Sequence, residues 1–197
     1  MKPLKILLFS FFISFANLLM AHPGHDGDPG FTQGFLHPFS GFDHFLVILL
    51  VGFWSVFALK NFWIAPLTFM SGMIFGVLLG LIDVNMEWLE LGISVSLMAL
   101  GLFILLKKKL DLRVSLFLIG LFGAFHGLAH LQYLNFMHSN FIYQSFEDMG
   151  GLLLATFALH LLGAGIAKIS KHQISIVSQG AGSIAFIYGL ILTARLI

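Results

Sequence analysis

Along this chain, charged residues fall mostly in short breaks between long apolar runs, and those runs define the elements. Six can be drawn after residue 36, at about 37–59, 61–82, 88–106, 113–134, 150–168 and 174–195. Each is close to the roughly 20 residues a helix needs to cross a bilayer. Connections this short make successive helices antiparallel neighbours. The pattern predicts an all-α integral membrane protein, a bundle of six transmembrane helices spanning residues 37–197. Gly72, Gly76 and Gly80 recur every four residues in the second run, and Gly120, Gly123 and Gly127 line the fourth. Small faces of this kind let helix backbones approach closely in lipid.

The first residues form a separate unit. Lys2 and Lys5 precede the apolar run Ile6 to Met20, which ends at Ala21 before the polar His22-Pro-Gly-His-Asp-Gly-Asp-Pro-Gly. This is the charged, apolar and small-residue pattern of a secretory signal. Residues 1–21 are therefore expected to be a cleavable signal peptide, leaving a short His-containing extracytoplasmic segment over residues 22–36. Leu19 is larger than the usual residue at its position, which keeps an uncleaved anchor as the alternative.

Loop charges give the orientation. With the mature N-terminus outside, the inner breaks carry Lys60, then Lys107, Lys108, Lys109 and Arg113, then Lys168 and Lys171. The outer breaks hold Asp83, Glu87, Glu147 and Asp148 without Lys or Arg. This is the positive-inside distribution, with Arg195 its single exception. Both mature termini are expected on the periplasmic side of the inner (cytoplasmic) membrane.

Composition agrees with that class. The chain is 58% hydrophobic and 10% charged, with a mean hydropathy of +0.97, whereas soluble domains average about 25% charged. A net charge of +1 and the lack of a basic arm give no footing for nucleic acid. With no cysteine, disulfides, thiolate metal sites and cysteine nucleophiles are excluded. No G-x-x-x-x-G-K-[ST] loop is present, so this chain does not hydrolyse ATP by that route.

The candidate chemistry lies in histidines within the apolar runs. An ionisable group in hydrocarbon costs roughly 2.5–3.5 kcal/mol on insertion scales, so such groups mark ion pathways or metal sites. His37, Asp43 and His44 open the first run, and His126 and His130 stand in the fourth. On a continuous helix, His37 and His44 share a face, as do His126 and His130, with Asp43 and His44 roughly 9–11 Å deeper than His37. Pro38 suits the start of that helix. Glu90 opens the third run from the outer side, and His160 lies near the middle of the fifth.

These groups converge on the outer half of the bundle, where N/O donors suit Ni²⁺, Co²⁺, Cu²⁺ or Zn²⁺. Asp43 could ligate directly or orient an imidazole. The plainer readings are an interhelical hydrogen bond for His160 and an ordinary interfacial carboxylate for Glu90. His138 and His172 read as solvated loop residues. After cleavage, the amine and imidazole of His22, with His25 nearby, could also capture a metal ion, or could form a functionless tail.

With these motifs the chain resembles the HupE/UreJ family of small membrane proteins. The His-x5-Asp-His motif matches as His37, Asp43 and His44, followed by the similar Val51-Gly52-Phe53-Trp54. The second motif, Phe-His-Gly-x-Ala-His-Gly-x-Glu, matches through Phe125-His126-Gly127-Leu128-Ala129-His130. Leu131 then replaces the glycine and Tyr133 the glutamate. Glu90-Leu-Gly-Ile-Ser and Ala155-Thr-Phe-Ala-Leu-His160 are further echoes. The resemblance implies nickel or cobalt handling. A neutral phenol at Tyr133 is a far weaker ligand than a carboxylate, which places affinity and metal choice in question.

The expected function is a permease for divalent transition metals, with nickel or cobalt favoured and copper or zinc possible. Alternatives are a membrane-embedded zinc-dependent hydrolase and a metal-binding sensor or chaperone. Haem ligation has nothing beyond the histidines behind it. Expected partners are the lipid bilayer, the metal ion, and a second copy or a metal-delivery protein. Against simple transport stands the scarcity of polar residues in the inner halves of the runs, where Thr68, Ser71 and Ser115 are the main exceptions.

Overall fold

Apolar runs rich in Leu, Ile, Phe and Ala can satisfy their backbone groups in lipid only as helices or closed barrels, and here they are helices. The computed structural model describes residues 30–80, 88–107, 110–133 and 141–197, without the side chains of 131–133 and 141–145. The expected signal (1–21), His22, His25, Asp83, Glu87 and His138 lie outside the described residues. The helices are α1 (Phe31–Ser40), α2 (Phe42–Ala58), α3 (Ile64–Gly80), α4 (Leu89–Leu105), α5 (Leu112–Tyr133), α6 (Phe141–Ile169) and α7 (Ile174–Leu196). A 3-10 turn, Lys171–Gln173, joins the last two. The described residues contain no strand.

Three stretches, Leu112–His130, Phe146–Ile169 and Lys171–Leu196, are long and apolar enough to cross a membrane, and α1 with α2 forms a fourth if the bent pair is one span. The apolar helices α3 and α4 have 17 residues each, about 26 Å at 1.5 Å per residue. The outer surface is itself apolar: Leu67, Phe75, Leu78, Phe117, Leu154 and Ile187 are all exposed. A continuous exposure of large hydrophobic side chains matches lipid rather than water.

The first run differs from the single helix expected over 37–59. It breaks at Gly41 into α1 and α2, which meet at 89°. Gly41 is extended (φ −114°, ψ 122°), and Pro38 lies near the end of α1 instead of at a helix start. The aromatic series Phe31, Phe35 and Phe39 carries α1 upstream of the expected boundary. Pro38 has no N–H to donate to the Gly34 carbonyl, which weakens the last turn before the break. Ser40 Oγ closes that turn with a 2.7 Å bond to the His37 carbonyl.

Helix packing is most extensive between α3 and α5, α4 and α7, α2 and α6, and α1 and α6. Gly72, Gly76, Gly123 and Gly127 lie in the α3–α5 contact, where their small faces allow the close backbone approach expected of them. Two other glycines seat the functional region. A Cβ on Gly52 of α2 would lie 2.1 Å from the His160 carbonyl oxygen of α6. One on Gly34 of α1 would lie 1.8 Å from the Asp148 carbonyl oxygen. Val47, Val51, Phe69, Leu97, Leu100 and Ile104 fill the centre.

Candidate functional site

The break at Gly41 assembles the site. Because α2 turns away at 89°, the imidazoles of His37 and His44 meet across the bend, with ring centroids 5.9 Å apart and planes at 89°. A shared face of one helix, the expectation from their spacing, is not the reason they meet. Close approach leaves little room for a side chain at position 41. A Cβ there would lie 2.8 Å from Asp43 Oδ1 and 3.2 Å from His44 Nδ1.

Helix α5 presents His126 and His130 one turn apart, as their i, i+4 spacing requires. His37 packs on His130 at 4.5 Å, and His44 packs on His126 at 4.8 Å. The four rings form a ladder of two edge-on pairs. His126 and His130 are buried, whereas His44 and Asp43 keep partial exposure. The ladder opens on a cavity of about 570 Å³, lined by His37, Asp43, His44, Glu90 and Arg195 among others.

Hydrogen bonds decide which nitrogen of each ring remains available. His126 Nδ1 donates to the Phe122 carbonyl at 2.8 Å. His44 Nδ1 donates to Asp43 Oδ1 at 3.2 Å. His130 Nε2 donates to Asp148 Oδ2 at 2.5 Å. A carbonyl or carboxylate can only accept, so in the neutral form of each ring the opposite nitrogen carries the lone pair. Those nitrogens, His44 Nε2, His126 Nε2 and His130 Nδ1, are buried and make no hydrogen bond. They are not gathered around one point: no three His, Asp or Glu side chains among the described residues are set to hold one ion.

His160 stands apart from this ladder. Phe69 of α3 separates it from His126, its ring lying 5.3 Å from each imidazole. Neither nitrogen of His160 meets hydrogen-bond geometry, the Thr156 carbonyl one turn back being a polar group that acts on it. The structure thus brings His37, Asp43, His44, His126 and His130 together. It places Glu90, exposed in the first turn of α4, at their cavity and sets His160 behind an aromatic ring.

Asp148 is the residue the sequence reading missed as a site group. It was expected in an outer break, but α6 begins at Phe141, and Asp148 is fully buried against His130. A signal was present. Asp148, Leu152, Thr156 and His160 recur every four residues, forming one buried stripe. Tyr133 ends α5, and its side chain is outside the described residues.

Comparison with known proteins follows the same residues. The profile of the HupE / UreJ protein family matches residues 10–192, which include both histidine motifs. The chain belongs to the HupE/UreJ family. Protein HupE of Rhizobium leguminosarum bv. viciae is 32% identical over 190 residues, covering 94% of this chain and 96% of that protein. No solved structure matches significantly. Within the HupE/UreJ family assignment, the all-helical fold and its apolar surface place the protein among membrane proteins.

Proposed function

We propose that the protein is a permease for divalent transition metal ions, nickel or cobalt by family resemblance, taking them up from the periplasmic side. The observation carrying this reading is the set of three buried lone-pair nitrogens on His44, His126 and His130. Burying an unpaired polar atom costs about 1–3 kcal/mol, and three such atoms in one ladder are explained by a partner that accepts lone pairs. A borderline divalent cation is that partner. The ion is the cargo, so its ligands must gather it and also release it. Separate rather than converged donors suit that task better than a closed structural site.

In this reading six membrane spans follow a cleaved signal, and the bent pair α1–α2 forms the first. Glu90 and Asp43 draw the hydrated cation into the cavity, where carboxylates and imidazoles replace its water. His160, beyond Phe69, is the next station inward. Ser115, buried near the start of α5 with an unpartnered hydroxyl, marks the cytoplasmic end.

The test is uptake of radiolabelled nickel and cobalt into vesicles containing the protein, compared with copper and zinc. His44→Ala and His130→Ala should each abolish uptake at equal expression. Unchanged uptake in both refutes passage through the histidine ladder, and no uptake by the wild-type protein above empty vesicles refutes the permease. Metal that binds but never crosses transfers the assignment to a sensor or delivery protein.

A further inference from the structure

Asp148 is held by backbone packing as well as by its side chain. Gly34 of α1 fits so closely over its carbonyl that no Cβ could be accommodated there. This seats the carboxylate beside His130, where both side chains are 1% exposed. Asp148 Oδ2 accepts a hydrogen bond from His130 Nε2, while Asp148 Oδ1 and His130 Nδ1 are buried without a hydrogen-bond partner. No Lys or Arg among the described residues forms an ion pair with Asp148.

The same arrangement recurs at Asp43 and His44, where a carboxylate holds one imidazole nitrogen and leaves the other open. The two Asp–His pairs flank His37, whose ring lies 5.9 Å from His44 and 4.5 Å from His130. Carboxylates in this position fix the tautomer of a ligating imidazole and increase its basicity.

Resting on the permease reading, we propose that Asp148 is a positioning residue of the metal site. It holds His130 in the tautomer that leaves Nδ1 free to ligate, and with Asp43 supplies two negative charges to balance a divalent cation. Asp148 therefore acts through His130.

The experiment titrates full-length protein in detergent with Ni²⁺ and with Co²⁺, following the Co²⁺ absorption spectrum as well as affinity. Asp148→Asn keeps the shape and removes the charge. It should weaken binding roughly 10–100-fold, the usual effect of losing such a partner, and shift the Co²⁺ bands. Asp148→Glu should recover most of the affinity with a distinct spectrum. Added to His130→Ala, Asp148→Asn should cost less than about twofold more, because the two act as one unit.

An Asp148→Asn protein that binds within about twofold of wild type, with an unshifted spectrum, overturns the proposal. So does a full additional loss in the His130→Ala background. If Asp148→Asn does not fold, Asp148→Glu decides: unchanged affinity and spectrum overturn the proposal. His44→Ala tests the parent reading separately. Its failure to alter binding refutes the metal site itself, whereas loss there with intact binding in Asp148→Asn refutes only the role of Asp148.

Discussion

Gly41→Ala should separate metal binding from folding. The Gly41 backbone, at φ −114° and ψ 122°, lies in a region alanine occupies freely, so the substitution adds no backbone strain. A compatible Gly→Ala change gains about 0.4–1 kcal/mol by restricting the unfolded chain. The new methyl, however, would stand 2.8 Å from Asp43 Oδ1 and 3.2 Å from His44 Nδ1. A carboxylate end can rotate away, so Asp43 yields and its 3.2 Å bond to His44 is lost. Hydrogen bonds to charged groups contribute about 1.5–3 kcal/mol. Side-chain exposures of 18% and 26% put this pair at the lower end. About 1.5 kcal/mol corresponds to roughly tenfold weaker metal binding. Calorimetric titration with Ni²⁺ and a thermal melt of the same preparation measure both quantities. Binding within about twofold of wild type would refute the idea that the Asp43–His44 geometry sets affinity, and a loss of stability well beyond the roughly 0.5–1 kcal/mol net of these two effects would show that the bend itself had been damaged.

Two further substitutions examine the packing and the inward path. Gly52→Ala places a methyl 2.1 Å from the His160 carbonyl. Backbone cannot rotate aside, so α2 and α6 must part at a cost of about 1–3 kcal/mol, read as a lower melting temperature in detergent. His160→Leu removes two buried nitrogens without hydrogen bonds while keeping a side chain of similar bulk. It should raise stability by about 1 kcal/mol and leave equilibrium metal binding intact, yet reduce vesicle uptake at least about tenfold. Undiminished uptake would remove His160 from the path.

The sequence was most informative where the physics is local. Apolar length and loop charge marked helices near their observed positions for α3, α4, α5 and α7, and glycine spacing marked the small faces of α3 and α5, though not that they meet each other. The i, i+4 spacing of His126 and His130 settled their common face because one unbroken helix carries both. It was least informative across the break at Gly41. There, helical periodicity put His37 and His44 on one face, but the chain brings them together by bending. Asp148 was misread because loop charge patterning treats any acid between apolar runs as exposed. Only the longer α6 shows that it shares a stripe with His160.

By itself, then, the chain determined an apolar all-helical protein of this family and named five of the side chains that meet: His37, Asp43, His44, His126 and His130. Tertiary structure alone decided which nitrogen of each imidazole is tied, that Asp148 joins His130, and that Phe69 stands between the ladder and His160. The difference has one physical cause. Helix formation and face periodicity depend on neighbours a few residues apart. A hydrogen-bond partner 18 residues away, by contrast, depends on how α1, α5 and α6 pack, which no spacing along the chain encodes.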